Sequence, residues 1–429
     1  MKIYLSGIGG VGIGPLALIS KEAGFDVLGS DREESLMTQE ISTKGILYSL
    51  DQSGAFLQSS HQKSPIDWFI YTAALPPDHP ELKLAKRLGI KIAKRDELLA
   101  YIIKQKRLKL IAVAGTHGKT STTGLLIWIL KQLNVPISYS VGTTLIFGSS
   151  GSYHPESQYF IYECDEFDRN FLNFYPYLSL ITNIDYDHPD TFATKQDYYS
   201  AFYDFIKQSE ASVMWQDDIN NLNIDQPLLS KLEVFDKQTL SSEINHLPLA
   251  GRHNRENAYL ALEVLSSMEL PSDITKDDIL AKIKVFPGTN RRFECLDKQL
   301  YSDYGHHPNE IAATLQMARE LSDNVTLVYQ PHQNQRQHEI KHLYTDKTFD
   351  KADTIYWLPT YLTRENPNQS ILSPKDLTSN LSHPNLKFAE LNQSLWNNIV
   401  NRRQEGSLVL CMGAGTIDSW ARQQLSPKS

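Results

Sequence analysis

Short apolar runs alternate along this chain with longer stretches whose apolar residues recur every three or four positions. The short runs predict buried strands and the periodic stretches predict amphipathic helices. The predicted strands are Lys2 to Ser6, Phe25 to Leu28, Trp68 to Thr72, Leu110 to Val113, Tyr159 to Tyr162, Leu178 to Thr182, Val213 to Trp215, Leu300 to Ser302, Val325 to Tyr329, Thr354 to Leu358 and Leu408 to Met412. Because such strands alternate with helices, the sheets should be parallel, with ligands at the carboxyl ends of their strands.

The predicted helices fill the segments between these strands, and Pro308 suits the first position of one of them. They are a small-residue helix through Ala23, Leu82 to Leu88, Thr122 to Leu133, Tyr198 to Ile206, one through Leu265 and Pro308 to Leu321. The basic, polar segment from Tyr101 to Leu108 is predicted to be a linker. At roughly 150 residues per domain, the 429 residues suggest about three α/β domains. We predict an N-terminal Rossmann-like domain (1–107), a central P-loop-type ATPase domain (108–294) and a C-terminal Rossmann-like domain (295–429).

A phosphate-binding loop is predicted between the strand ending at Val113 and the helix that follows. Its residues are Gly115, Thr116, His117, Gly118, Lys119, Thr120 and Ser121. Backbone N–H groups and the helix N-terminus would face an anion, and Lys119 would add a positive charge. The Thr120 hydroxyl would then ligate Mg²⁺. The generic pattern has glycine where this chain has Val113, so the loop is a shortened variant that still predicts a nucleoside triphosphate.

A second glycine-rich loop follows the first predicted strand. It contains Gly7, Gly9, Gly10 and Gly12, and Asp31 lies 19 residues beyond Gly12. This spacing fits a dinucleotide fingerprint, and alone it would favour an NAD-dependent dehydrogenase. Two phosphate loops in two domains instead favour two nucleotides, one a triphosphate and the other a nucleotide-linked substrate.

Acidic and histidine residues complete a predicted metal and phosphate site. Glu163 ends a strand after the phosphate loop, and His188 follows the next strand, so both are candidate Mg²⁺ ligands beside Thr120. The helix start with His253 and Asn257 could read an adenine edge or simply cap the helix. Further candidates are Arg291 and Arg292, which could bridge phosphates. Asp303, His306 and His307, in the segment that also contains Tyr304, are hard to explain by packing.

Composition narrows the class of protein. Forty-two basic against fifty acidic residues give a net charge of -8, which disfavours a nucleic-acid partner. Three cysteines without metal or disulfide spacing suit a reducing cytoplasm. No apolar run approaches the roughly 18–20 residues of a membrane span, and the N-terminus does not resemble a signal peptide. A cytoplasmic enzyme is therefore expected.

Taken in order, the motifs resemble those of the Mur ligases from Gly7 to Gly415. The segments are Gly115-Thr116-His117-Gly118-Lys119-Thr120, Glu163-x-Asp165-Glu166, Thr182-Asn183-Ile184-x-x-Asp187-His188, Gly251-Arg252-His253-Asn254-x-x-Asn257, Arg291-Arg292-Phe293, Asp303-Tyr304-x-His306-His307-Pro308 and Gln330-Pro331-His332. The resemblance implies an ATP- and Mg²⁺-dependent ligase of peptidoglycan precursor synthesis, a monomer or homodimer, whose substrates are UDP-N-acetylmuramate and a free amino acid. The third domain would close over the other two and bring the amino acid.

The resemblance also implies a role for each candidate residue. The implied catalytic residues are Lys119, Glu163, His188 and Arg291, and the implied metal ligands are Thr120, Glu163 and His188. The implied ATP-binding residues are Gly115, Thr116, His117, Gly118, Lys119, Thr120, Ser121, His253, Asn257, Arg292 and Asp303. Gly7, Gly9, Gly10, Gly12 and Asp31 would bind the UDP-sugar, and Tyr304, His306, His332 and Arg336 the amino acid.

One segment departs from the family pattern. The alanine-adding branch resembles Gln-Pro-His-Arg-x-x-Arg-x-Arg, whereas this chain has Gln333 and His338 in place of two arginines and retains Arg336. L-Alanine is the expected amino acid, with serine and glycine as alternatives, because a glutamine cannot replace a charged fork. A sister branch that attaches a preformed tripeptide resembles Glu-Pro-Arg at this point, so Gln330-Pro331-His332 favours a single amino acid. The remaining alternatives are a dehydrogenase and a non-catalytic nucleotide-binding regulator.

Overall fold

The structure is a computed structural model that describes residues 1–10, 12–72, 75–187, 191–222, 224–363 and 365–426. The chain divides into two compact units, one of Met1–Ser242 with Asn257–Phe286 and the other of Glu243–Glu256 with Pro287–Ser429. The strands of the described residues form three sheets, and the predicted α/β class is confirmed. None of the described helices is both long and apolar enough to cross a membrane.

The first sheet is wholly parallel, in the order β3-β2-β1-β4-β5. Its strands are β1 (Lys2–Ser6), β2 (Asp26–Ser30), β3 (Leu47–Ser49), β4 (Trp68–Tyr71) and β5 (Lys91–Lys94). Its helices are α1 (Gly14–Glu22), α2 (Leu36–Thr43), α3 (Ala55–Lys63), α4 (Pro80–Arg87) and α5 (Arg95–Gln105). The strand order reverses beside β1, so the glycine loop that follows β1 lies where parallel sheets bind ligands.

The second sheet has the order β12-β11-β10-β6-β9-β7-β8, with only β8 antiparallel to its neighbour among the described pairs. Its strands are β6 (Lys109–Ala114), β7 (Ile137–Ser140), β8 (Gly151–Ser152), β9 (Tyr159–Glu163), β10 (Leu178–Ile181), β11 (Ala211–Trp215) and β12 (Leu232–Phe235). The helices in this part of the chain are α6 (Lys119–Gln132), α7 (Lys195–Gln208), α8 (Gln216–Ile219), α9 (Gln226–Leu229), α10 (Ser241–Asn245), α11 (Arg252–Ser266) and α12 (Lys276–Lys284). Because β6 lies between β10 and β9, the segments after all three strands meet at one edge.

These two sheets share one buried core. Apolar side chains of β1 and α5, among them Leu5 and Ile102, belong to the same cluster as Leu110 and Phe160 of the second sheet. Burial of this continuous apolar surface is the dominant stabilising term. The two glycine loops therefore belong to one compact unit, while the predicted boundaries after residues 107 and 294 stay predictions.

The third sheet has the order β13-β14-β18-β15-β16-β17, and its edge strand β13 is antiparallel. Its strands are β13 (Glu294–Asp297), β14 (Leu300–Asp303), β15 (Val325–Tyr329), β16 (Thr354–Trp357), β17 (Leu386–Phe388) and β18 (Leu408–Met412). Its helices are α13 (Pro308–Leu321), α14 (Asn334–Ile340), α15 (Asp346–Phe349), α16 (Pro374–Leu377), α17 (Gln393–Gln404) and α18 (Ile417–Leu425). Apolar clusters cover both faces of the sheet.

The predicted linker from Tyr101 to Leu108 is wrong. Helix α5 runs on to Gln105, and only three residues separate it from β6. Its buried positions include Leu98, Ile102 and Ile103, which recur at helical spacing. The basic residues that suggested a linker belong to the end of this helix and the turn after it, where cations interact favourably with the helix dipole.

Candidate active site

The predicted phosphate loop, residues 115–121, joins β6 to α6 in the first unit. Gly115 and Gly118 have φ values of +128° and +84°, conformations that L side chains rarely adopt. A Cβ at Gly118 would lie 2.4 Å from the Asn257 amide nitrogen. Both glycines are thus required by the backbone, and Asn257 of α11, a predicted ATP-binding residue, packs against the loop. Ser121 lies in the first turn of α6.

Lys119 is folded inward onto its own loop. Its Nζ donates hydrogen bonds to the carbonyl oxygens of Gly115 at 2.5 Å and Thr116 at 3.1 Å, and to Glu166 Oε2 at 2.7 Å. The Glu166 side chain is fully buried. Burial pulls the pKa of Lys119 down, but the surrounding carboxylates, Glu166 foremost, outweigh burial and raise it above the usual value. The ammonium is therefore held charged at the loop.

Thr120 and Glu163 meet directly. The Thr120 hydroxyl donates to Glu163 Oε1 at 2.6 Å, and the amide of Gly142 donates to Oε2 at 2.7 Å. Mg²⁺ in nucleotide sites takes one or two carboxylates, completing its shell with waters and substrate phosphates. Among the described residues no three His, Cys, Asp or Glu side chains are grouped so that they could hold a metal ion. This pair of adjacent oxygens fits Mg²⁺; the third predicted ligand, His188, lies outside the described residues.

The phosphate loop is fastened to the segment after β10. The amide of His117 donates to Asn183 Oδ1 at 3.0 Å, and the Thr182 hydroxyl donates to the carbonyl oxygen of His117 at 2.6 Å. The Thr116 hydroxyl contacts the hydroxyl of Tyr198 at 2.8 Å, inside the core. These contacts fix the loop before any phosphate arrives, which lowers the cost of binding. No role was predicted from the sequence for Thr182 or Tyr198. For Thr182 a signal was available, because it ends a predicted parallel strand, where ligand sites are found.

The first glycine loop brings its predicted residues together as well. The amide of Gly9 donates to Asp31 Oδ2 at 2.7 Å, so Asp31 lies against the loop. Directly beneath the loop is the fully buried Glu81, which was not predicted. It accepts hydrogen bonds from the hydroxyls of Tyr4 at 2.5 Å, Ser6 at 2.6 Å and Ser30 at 2.7 Å. Neutral hydroxyl groups thus satisfy this carboxylate.

In the second unit, the four residues predicted to bind the amino acid form one cluster. The ring centroid of His306 lies 5.8 Å from that of Tyr304 and 5.7 Å from that of His332, and His332 stacks on Tyr361 at 5.8 Å. Burial lowers the pKa of His306 to about 4, against the influence of the Glu310 carboxylate and together with that of the Arg336 charge. His306 is neutral at pH 7, and Arg336 and Glu310 are charged groups that act on it. Tyr361 was not predicted.

The predicted residues Arg291, Arg292 and Asp303 surround Tyr304. The guanidinium carbons of the two arginines lie 4.7 and 5.3 Å from the Tyr304 ring centroid. Asp303 accepts the amides of Phe293 and Gly305 at 2.8 and 2.7 Å. Burial raises its pKa to about 6, against the influence of Arg292. Arg291 also donates to the carbonyl oxygen of Gly413 at 3.1 Å, so this arginine is held by the loop after β18.

His253 lies near the beginning of α11, one turn before Asn257. Burial lowers its pKa to about 4, and Nδ1 is buried without a hydrogen-bond partner among the described residues. Gly251, with φ of +85°, starts the turn, and its amide donates to Glu320 Oε2 at 2.8 Å. A neutral imidazole with an unused nitrogen suits a polar, uncharged contact such as a base edge.

Three regions of the chain match models of Mur ligase domains. Residues 2–107 match the model described as Mur ligase family, catalytic domain; residues 113–228 match the Mur ligase middle domain; and residues 291–415 match the Mur ligase, glutamate ligase domain. The UDP-N-acetylmuramate–L-alanine ligase of Clostridium botulinum (strain Loch Maree / Type A3) is 32% identical, covering 97% of this chain and 95% of the relative. That of Caldicellulosiruptor saccharolyticus is 31% identical, over 97% and 96%.

Solved structures agree in fold. The crystal structure of UDP-N-acetylmuramate-alanine ligase from Thermotoga maritima has a TM-score of 0.74 at 23% identity, covering 99% of this chain and 98% of that chain. A murein peptide ligase from Psychrobacter arcticus has a TM-score of 0.62 at 19% identity, with the same coverage. Both likenesses extend over the whole chain, so all three sheets belong to the shared fold.

Proposed function

The chain belongs to the Mur ligase family, and we propose that it joins an amino acid, L-alanine, to the lactyl carboxylate of UDP-N-acetylmuramate with ATP as the energy source. The products are ADP, phosphate and a UDP-N-acetylmuramoyl amino acid, a precursor of peptidoglycan. Relatives with this activity in their names match nearly the full length of the chain.

The observation that carries the proposal is the arrangement of Lys119, Thr120 and Glu163 at one edge of the second sheet. The Lys119 ammonium and the Thr120–Glu163 pair are held by the same loop and helix start. A cation for the phosphates and oxygen ligands for Mg²⁺ are the groups that phosphoryl transfer requires. A hydride-transfer enzyme needs neither, so the dehydrogenase alternative is not favoured.

The chemistry follows from the reactivity of a carboxylate, which is a poor acyl donor at neutral pH. Attack of the lactyl carboxylate on the γ-phosphorus of ATP forms an acyl phosphate and releases ADP. The amine of the amino acid then attacks the acyl carbon, and phosphate leaves from a tetrahedral intermediate. In the first step two anions approach each other, so Lys119 must neutralise charge on the phosphate oxygens.

Thr120, Glu163 and His188 would hold Mg²⁺, which when bound supplies further positive charge to the phosphates. Asn257 and His253 would contact the adenine. In the second unit, Arg336 would bind the carboxylate of the amino acid, with Tyr304, His306 and His332 lining the pocket. We propose a cytoplasmic enzyme, monomeric or homodimeric, and the three cysteines are free thiols as that compartment requires.

The direct test is phosphate release from ATP with Mg²⁺ and UDP-N-acetylmuramate, screened across alanine, serine, glycine and the tripeptide used by the sister branch. Alanine-dependent release with a product mass equal to the condensed pair is expected. Phosphate release only with the tripeptide would show that the enzyme attaches a preformed tripeptide, as the sister branch does, rather than a single amino acid. Release without any amino acid, or NAD binding without ATP turnover, would overturn the proposal.

The amino-acid pocket is tested by Arg336→Ala. One charge-assisted contact is worth about 1.5–3 kcal/mol, or roughly tenfold to 150-fold in KM. The KM for the amino acid should rise by that factor while those for ATP and UDP-N-acetylmuramate stay unchanged, and Gln333→Arg should lower it. Arg402→Ala, on α17, is the matched control. An unchanged amino-acid KM in Arg336→Ala would place the pocket elsewhere.

A further inference from the structure

The first glycine loop retains few backbone donors for a ligand. The amides of Gly7 and Ile8 donate to the carbonyl oxygen of Ser30, and that of Gly10 donates to Gly7. The amides of Ile13 and Gly14 both donate to the carbonyl oxygen of Gly10. Val11 lies outside the described residues, and the Gly9 amide is taken by Asp31. Among the described residues of the loop, the Gly12 amide is therefore the one that has no hydrogen-bond partner in the described part of the chain.

The charge of this loop is also unfavourable for a diphosphate. The Asp31 carboxylate lies on the Gly9 amide, where it contributes a negative charge to the loop. The N-terminus of α1 offers about half a positive charge, which does not balance Asp31 together with two phosphates. Unlike the loop of residues 115–121, the segment 7–14 contains no lysine or arginine. A cation must therefore come from another element.

Arg95, the first residue of α5, is that cation. A Cβ built on Gly12 would lie 2.2 Å from Arg95 Nη1 and 3.3 Å from its Cζ. Any side chain at position 12 would therefore collide with the guanidinium, which explains the glycine independently of a ligand. The Arg95 side chain is 30% exposed, so its head remains accessible beside the Gly12 amide.

The guanidinium is oriented from its other end. Arg95 Nε lies 3.3 Å from Asp96 Oδ1, and Asp96 is nearly fully buried. Asp96 in turn accepts a hydrogen bond from the Tyr162 hydroxyl at 3.2 Å. Within the described part of the chain, the hydrogen bonds of the Arg95 side chain use only Nε, so both Nη groups keep their donors. A fixed guanidinium with two unused nitrogens matches the paired oxygens of a phosphate.

We infer that Arg95 binds the diphosphate of the UDP-sugar, with its Nη groups acting together with the Gly12 amide. This assignment rests on the proposed function, and it gives that substrate a cation that sequence patterns did not identify. The assignment also means that one strand, β9, contributes to both nucleotide sites. Its residue Tyr162 holds Asp96 and through it Arg95, and the next residue is Glu163.

The test is calorimetric binding of UDP and of UDP-N-acetylmuramate to wild type and Arg95→Gln. Loss of one charge-assisted contact should raise the Kd for both ligands roughly tenfold to 150-fold. Arg95→Lys should fall between, because lysine keeps the charge but loses the fork. Arg87→Gln, an exposed arginine at the end of α4, is the matched control and should leave both Kd values unchanged. ATP binding should be unaltered in all variants.

Gly12→Ala provides a second test of the assignment in which Arg95 itself is not substituted. Its methyl group would displace the guanidinium, so the UDP Kd should rise in this variant and rise little further in the Gly12→Ala, Arg95→Gln double variant. An unchanged UDP Kd in Arg95→Gln would overturn the assignment, as would a loss confined to UDP-N-acetylmuramate, which would move Arg95 to the sugar acid. If wild type turns over the substrates yet Arg95→Gln binds UDP normally, only this assignment fails. If wild type binds neither ligand, the proposed function fails with it.

Discussion

The first compact unit contains two glycine loops, each of which joins a strand to a helix. A fully buried glutamate lies beneath each loop. Below the first loop, Glu81 is satisfied by the hydroxyls of Tyr4, Ser6 and Ser30. Below the second, Glu166 pairs with the Lys119 ammonium at 2.7 Å. The two glycine-containing loops thus lie above buried glutamates in different electrostatic environments.

The difference shows that a glycine pattern predicts a backbone shape and not the charge of the site. The second loop contains its own cation and adjoins Glu163, the carboxylate proposed to bind Mg²⁺, so it is suited to a reacting triphosphate. The first loop contains no cation, and the Asp31 carboxylate binds its Gly9 amide. Its nearby positive charge is that of Arg95, on a helix distant in sequence. Such an arrangement suits a diphosphate that is held but does not react.

The largest expected effect is that of Lys119→Ala. Loss of one charge that stabilises the transferring phosphate costs on the order of 10²–10³ in kcat. UDP binding at the first loop should be unchanged by calorimetry. Lys131→Ala, near the other end of α6, is the control and should turn over normally. If Lys119→Ala turned over within twofold of wild type, the second loop would not bind the reacting triphosphate through its own cation, and the proposed difference between the loops would be wrong.

Because Lys119→Ala also removes the ammonium that pairs with the buried Glu166, the variant should lose stability. The double variant Lys119→Ala, Glu166→Gln also removes the buried negative charge of Glu166. It should fold, as judged by retained UDP binding, and should still lack turnover.

The next effect is the Mg²⁺ dependence of Glu163→Gln. A neutral amide is a weaker ligand than a carboxylate, so the Mg²⁺ concentration for half-maximal rate should rise roughly tenfold to 150-fold, the range for one charge-assisted contact. Asp168→Asn, in the same acidic segment but paired with Lys94 at 2.9 Å, is the control. If Glu163→Gln and His188→Ala both keep the wild-type Mg²⁺ requirement, neither side chain binds the metal.

Long apolar or periodic segments made the fold predictable. Lys2–Ser6, Pro308–Leu321, Val325–Tyr329 and Leu408–Met412 have the bounds that their patterns predicted. Short and polar elements were not predicted: β3 has three residues, Leu47–Ser49, and none is buried. For α5, the apolar stripe decides the structure, although the charged residues around Tyr101 favoured a linker.

The proximity of the candidate-site residues was predictable where these residues lie in short segments with a recognisable pattern. The loop of residues 115–121 and the cluster around His306 have recognisable local patterns. Arg95, Glu81 and Tyr198 have no such pattern, because each acts across more than fifty residues of sequence: on Gly12, on Tyr4 and on Thr116. Contacts of this kind depend on the packing of helices against sheets and cannot be obtained from local spacing.

Glu81→Gln tests whether the glutamate below the first loop is structural. Glutamine keeps a single acceptor oxygen, so the three hydroxyl groups cannot all donate to it. The free energy of unfolding should fall by about 1.5–3 kcal/mol, the value of a hydrogen bond to a charged group. Urea denaturation measures this loss, kcat should stay within twofold of wild type, and the exposed Glu33→Gln is the control. A tenfold loss of kcat with normal stability would instead show that Glu81 supports the reaction rather than the fold. The contrast between Glu81 and Glu166 would then be wrong.

The smallest effects come from adding one methyl group to each loop, and they test the comparison most directly. Gly118→Ala places a side chain at φ of +84° and against the Asn257 amide, whereas Gly9→Ala brings a methyl group to 2.6 Å from Thr38 Cγ2 and 3.0 Å from Asp31 Oδ2. A left-handed alanine costs roughly 1–2 kcal/mol of folding free energy, and a ligand loop that relaxes from its binding shape to relieve this strain binds about fivefold to 30-fold more weakly. ATP binding should therefore weaken by that factor only in Gly118→Ala, and UDP binding should weaken only in Gly9→Ala. Gly24→Ala, at φ of +88° with nothing within 4 Å, carries the same backbone strain away from both loops and should change neither Kd. If either loop variant weakened both ligands equally, the loops would form one coupled site rather than two sites with separate charges.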